Sequence, residues 1–178
     1  MKKTIFFALL GAVILFAWQF ISFAMPNFHK ASAEYTPLQD EVLAALDDSG
    51  LKEGMYMLGQ PDPELSGDAY KQAMEVYEGK PWAVLNFQMN NSSAMTMNMI
   101  RSFIMMILIS WIFLWFIRQQ KDPTLFKRIL AGLAVGFIGF CFVPYSSFIW
   151  FKEPDIWAFL LDATVPWIVL GWLGHKMT

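Results

Sequence analysis

Cysteine occurs once in these 178 residues and histidine twice. A single thiol excludes an intramolecular disulfide and any relay that needs two cysteines in one chain. Cys141 itself lies in an apolar run. Charge is scarce as well: 16% of residues are Asp, Glu, Lys or Arg, against about 25% in an ordinary soluble domain. The net charge is −2 and no basic cluster stands out, so the electrostatic footprint of a nucleic-acid binder is missing. Neither a Gly-rich phosphate loop nor a zinc-ligand spacing occurs, and no nucleophile–base–orienter set can be assembled. The chain therefore reads as a non-enzyme with no cofactor.

What is present is apolar length. Hydrophobic residues make up 56% and aromatic residues 17% of the chain, and mean hydropathy is +0.41. Four runs are long enough to cross a bilayer, whose hydrocarbon core of about 30 Å needs about 20 helical residues. The first follows Lys2 and Lys3 and covers residues 5–24. The others cover about 98–117, 129–145 and 156–173. A cleavable signal has an apolar core of only about 7–15 residues. The small-residue site Ala31-Ser32-Ala33 lies far beyond the first run, so a retained anchor is expected. Pro166 falls inside the fourth run and predicts a kink, because neighbouring helices can satisfy the carbonyl it frees.

Basic residues near span ends set orientation. Lys2, Lys3, Arg118, Lys121, Lys127, Arg128 and Lys176 fall on one side. The long segment between the first two spans is acidic. Residues 25–99 hold four Lys against eleven Asp and Glu, a net −7. Both termini are thus expected in the cytoplasm, and residues 25–97 outside it. Trp18, Trp150 and Trp157 would mark the outer interface, Trp115 and Trp172 the inner one. The cytoplasmic loop 118–128 is too short to hold a catalytic domain.

The external segment has its own pattern. Thr36-Pro37-Leu38-Gln39 predicts a helix start with a capping box. Leu38, Val42, Leu43 and Leu46 give it an apolar stripe, and Ser49-Gly50 ends it. A strand is expected at 55–58, a second amphipathic helix at 69–78 with Tyr70, Met74 and Tyr77 on one face, and a strand at 82–89. The predicted architecture is a mainly α membrane protein: residues 1–24 form helix one, 25–97 a small α+β extracytoplasmic insertion, and 98–178 helices two to four. Together the helices make a four-transmembrane-helix bundle.

Three features are candidate sites. Met89, Met95, Met97 and Met99 are soft thioethers, and such ligands select Cu(I). Methionine filling irregular gaps is the preferred reading of them. The second feature is polar. Asp162 is about seven residues into the fourth span, some 10 Å deep at 1.5 Å per residue, and an ionisable group there is a functional-site hypothesis that needs a partner. Arg101 at the outer end of the second span is the expected partner. Gln19 and Tyr145, with Ser146 and Ser147, lie at similar depth, so all four spans can feed one outward-facing pocket. An Arg101–Asp162 ion pair that merely fixes helix packing is the rival reading. The third is the small-residue run Gly132, Gly136 and Gly139, which lets helices approach closely. Packing within the bundle is preferred over an oligomer face. The two histidines are expected on opposite sides of the membrane, His29 at the interface near Trp18 and His175 as a cytoplasmic end residue.

The layout resembles a group of small, uncharacterised bacterial membrane proteins. The resemblance rests on Tyr35-Thr36-Pro37, Lys80-Pro81-Trp82, the Met-rich approach to Arg101, the run 134–140 with Pro144-Tyr145, and Asp162 through Pro166-Trp167. It implies a bacterial inner membrane and assigns no activity. The expected role is an accessory or interaction subunit of a cell-envelope complex, with the bilayer and a membrane-protein partner or a second copy as neighbours. The alternatives are ligand or ion binding, or transport, through Asp162 and Arg101, and copper handling through the methionines.

Overall fold

The computed structural model describes residues 2–25, 27–90, 94–121 and 124–177. They fall into two units, Met1–Glu34 with Ala94–Thr178, and Tyr35–Ser93.

The first unit holds four helices long and apolar enough to cross a membrane: Lys3–Ala24, Met95–Arg118, Leu125–Phe151 and Ile156–Met177. These are the spans expected from the apolar runs, extended at their ends. Large apolar side chains such as Phe6, Phe20, Ile104, Trp111, Ile138 and Trp157 stand exposed around them. In water so large an apolar surface would drive aggregation; lipid is the solvent it suits.

Helix α1 (Lys2–Ala24) packs antiparallel on α4 (Met95–Arg118). Gly11 permits the close approach: a Cβ there would meet Ser110 of α4 and come within 3.0 Å of Leu170. The third span is two helices end to end, α5 (Leu125–Phe142) and α6 (Pro144–Phe151). The sequence predicted its end near residue 145. Pro144 instead occupies the first position of α6, where its missing N–H costs nothing, so the span runs on to Phe151.

The fourth span is broken where Pro166 predicted. Helix α7 (Ile156–Asp162) stops, and α8 (Val165–Met177) begins after a two-residue turn. Pro166 has no N–H for the carbonyl of Asp162, four residues back. The Thr164 hydroxyl donates to the carbonyls of Leu160 at 2.9 Å and Leu161 at 3.2 Å, which eases the break. Asp162 is thereby the last residue of a helix in the middle of a span.

Helix α5 lies against this break. A Cβ at Gly136 would collide with the carbonyl of Ala163, and one at Gly132 with the carbonyl of Trp167. A Cβ at Gly171 would sit 2.6 Å from the carbonyl of Arg128. Gly132 and Gly136 thus pack inside the bundle, as the sequence favoured, whereas Gly139 faces open space. The tightest packing is at the opposite end from Asp162: Leu114, Ile117 and Leu170 are fully buried, with Phe113, Leu173 and Ala8 beside them.

The second unit contains α2 (Gln39–Asp48), β1 (Gly54–Leu58), α3 (Gly67–Tyr77) and β2 (Ala83–Phe87). The strands pair antiparallel, Gly54 opposite Phe87 and Leu58 opposite Ala83. The predicted order of helix, strand, helix, strand is therefore present, with ends shifted by one or two residues. The Thr36 hydroxyl accepts from the Leu38 N–H at 3.3 Å, but the helix proper starts at Gln39, which makes no reciprocal bond to complete a capping box. Gly59 has φ +89°, and a Cβ there would come within 2.9 Å of Trp82 Cβ, so only glycine suits that corner. Phe87 is buried, yet neither α2 nor α3 buries a residue.

Candidate functional site

Two polar side chains of α1, Trp18 and Ser22, are four residues apart and share a face. That face meets Asp162 at the end of α7. Trp18 Nε1–H donates to Asp162 Oδ1 at 2.9 Å, and the Ser22 hydroxyl donates to the same oxygen at 2.7 Å.

The third contact comes from beyond the helix. Asn27 adopts φ +58°, a left-handed turn that asparagine tolerates better than most residues. The chain doubles back, and the Phe28 N–H reaches the Ser22 carbonyl at 2.8 Å. His29 is thereby delivered into the end of the bundle. Its Nε2 lies 2.9 Å from Asp162 Oδ2 and 3.2 Å from Ser22 Oγ. The ring stacks on Phe23, with centroids 4.0 Å apart and planes 5° from parallel, and meets the edge of Phe159 at 4.6 Å. It is 3% exposed. The loop is held a second time where Ser32 donates through its N–H and its hydroxyl to Asp155 Oδ2, at 2.7 and 2.8 Å.

The hydrogen-bond pattern assigns the protons. His29 Nδ1 is buried with no partner among the described residues. A proton there would be a buried donor without an acceptor, which costs more than an idle lone pair. The imidazole hydrogen therefore belongs on Nε2, donated to Asp162. A proton on Asp162 Oδ2 would force that hydrogen onto Nδ1. A proton on Oδ1 would disturb one of the two donors already there. The carboxyl group thus has three partners, Trp18 and Ser22 on Oδ1 and His29 on Oδ2.

Asp162 also faces a cavity. It has a volume of about 180 Å³ and is lined by Leu15, Trp18, Gln19, Met106, Ile109, Asp162, Pro166 and Trp167. Asp162 is its one ionisable lining residue, and the carboxyl side chain retains 25% exposure. Gln19 is oriented by the Ser102 hydroxyl, which donates to its Oε1 at 3.0 Å.

Of the residues singled out in the sequence, Asp162 and Gln19 come together here. Arg101 does not join them: it is exposed on α4 and no ion pair links it to Asp162. The reason is helical phase. Its neighbour Ser102 points at α1, which turns Arg101 about 100° away, and Trp18, Ser22 and His29 occupy the carboxylate instead. Tyr145, the second residue of α6, packs against the rings of Phe140 and Phe148, outside the cluster. Met95, Met97 and Met99 stand exposed on the first turns of α4, and Met89 is exposed just after β2. His29, expected to be merely interfacial, is instead a buried partner of Asp162. The signals for it were the two donors Trp18 and Ser22 at helical spacing and the turn dipeptide Pro26-Asn27.

Compared with protein-family models, curated proteins and solved structures, the chain matches none.

Proposed function

We propose that this is a non-enzymatic multi-pass membrane protein that binds a small ligand in the cavity beside Asp162. One observation carries the reading: the Asp162 carboxyl group, held by Trp18, Ser22 and His29, lines a cavity in the bundle where a span is broken. Broken helices with ionisable groups at membrane depth are how lipid-embedded proteins build ligand sites. The test uses the full chain in lipid nanodiscs and a panel of small solutes followed by thermal unfolding. At least one solute should raise the unfolding temperature, since ligand bound only to the folded state stabilises it by mass action. Met106→Trp, which fills the cavity, should remove that rise. A panel in which no rise depends on an unfilled cavity sinks the reading.

In the same proposal the membrane is a bacterial inner membrane, both termini are cytoplasmic, and the unit Tyr35–Ser93 lies outside. The support is the distribution of Lys and Arg around the spans. Cys141→Ser removes the only thiol, and Ser49→Cys then places one beside Gly50, which has nothing within 4 Å of its Cβ position. A membrane-impermeant maleimide should label this variant in intact cells. Labelling only after lysis reverses the orientation.

A second reading, an interaction subunit of an envelope complex, is favoured by a separate observation. Val42 and Leu43 on α2, and Tyr70, Met74 and Tyr77 on α3, stay exposed although they form the apolar faces of their helices. Purification in mild detergent with mass spectrometry tests it, and a lone chain under every gentle condition counts against it.

A further inference from the structure

The cavity reading leaves the chemistry of the ligand open, and charge, volume and wall narrow it. Charge comes first. Asp162 places a carboxyl group at the cavity wall, held by Trp18, Ser22 and His29. Arg101 makes no ion pair with this group, so a cationic ligand is what the carboxylate can attract from the cavity side. A carboxylate offers about four acceptor positions. Trp18, Ser22 and His29 fill three, so about one remains.

Volume comes second. A protein cavity of roughly 150 Å³ is enough for benzene. The cavity here, about 180 Å³, takes a group of about six non-hydrogen atoms on the same scale.

The wall comes third. Hard metal ions take six or more oxygen ligands, whereas this cavity offers the oxygens of Asp162 and Gln19 among apolar side chains. Two indole rings, Trp18 and Trp167, line it with Pro166 and Met106. Indole rings beside a carboxylate suit a cation whose charge is spread under methyl or methylene groups.

We infer that the ligand, on the reading that this cavity is a ligand site, is a small substituted-ammonium group. Asp162 provides the counter-charge, Trp18 and Trp167 the aromatic wall. The same group occurs on free methylated amines and on lipid headgroups.

The test uses the full chain in nanodiscs of phosphatidylglycerol, with tetramethylammonium chloride as probe and tert-butanol as a neutral probe of the same heavy-atom count. Sodium chloride is present in excess throughout. Tetramethylammonium should bind at least about tenfold more tightly than tert-butanol. Asp162→Asn should erase that preference, and Met106→Trp should abolish binding of both. If Asp162→Asn does not fold, the preference in the wild-type chain and its loss in Met106→Trp decide. Equal binding of the two probes, both lost in Met106→Trp, overturns the ammonium assignment and leaves the cavity reading standing. Binding of neither probe also overturns the ammonium assignment, and the solute panel then decides the cavity reading by itself. A repeat in discs containing phosphatidylcholine separates the sources. Suppressed tetramethylammonium binding there identifies a headgroup as the occupant and unchanged binding a free cation, each in keeping with the ammonium class.

Discussion

Asp162→Ala should destabilise the protein by about 3 kcal/mol or more, at about 1–3 kcal/mol for each buried hydrogen-bonding group left without its partner. Trp18 Nε1–H, Ser22 Oγ–H and His29 Nε2–H all lose their acceptor at once. A buried donor without an acceptor costs about 1–3 kcal/mol, and no bulk water is at hand in a bilayer to replace the carboxylate. His29→Phe is the informative contrast. Phenylalanine keeps the stack on Phe23 and the edge contact with Phe159. It removes one of three donors and the unpartnered Nδ1, so a loss of about 1 kcal/mol is expected. Combining the two should cost less than their sum, because the histidine no longer has a bond to lose. Reversible unfolding in mixed micelles measures all three. Equal destabilisation by the two single variants would show that Asp162 does not organise the cluster.

Much of this architecture is written in runs and spacings. The four spans follow from uninterrupted apolar length, which few other structures need. The break at Pro166 follows from a missing N–H, and the packing of Gly132 and Gly136 from two small residues one helical turn apart. The strands around Tyr56 and Leu85 follow from short apolar stretches bounded by turn residues. Asp162 and Gln19 were recognisable because polar groups stand out in an apolar run. What could not be read was which polar groups would meet. Arg101 and Ser102 are adjacent in sequence and differ only in helical phase, and that phase decides which of them faces Gln19. His29 lies 133 positions from Asp162 and reaches it through one left-handed residue. A reversal of that kind depends on how Asn27 and Phe28 settle on the end of α1, and hydrophobic patterning carries no trace of it. The length of the third span was misread for a local reason, since proline ends a helix or begins one according to its position.

Gly136→Val should be severely damaging and Gly139→Val mild, although both put the same side chain on one helix three residues apart. A Cβ at Gly136 would run into the carbonyl of Ala163 and the indole of Trp167, whereas one at Gly139 meets nothing within 4 Å. Overpacking commonly costs about 1–3 kcal/mol when flexible side chains can yield. At Gly136 the obstacle is backbone at the turn between α7 and α8, so the helices themselves must separate. A loss of at least about 3 kcal/mol, or failure to accumulate folded protein, is expected there, against about 0.5 kcal/mol or less at Gly139. The milder Gly136→Ala links this contact to the site. It presses on the residue that follows Asp162, and a carboxylate displaced by even a few tenths of an ångström loses alignment with Trp18, Ser22 and His29. Gly136→Ala should therefore weaken tetramethylammonium binding while Gly139→Ala leaves it unchanged. Equal stability and equal binding in the two alanine variants would mean that the packing of α5 on the broken span does not set the position of Asp162.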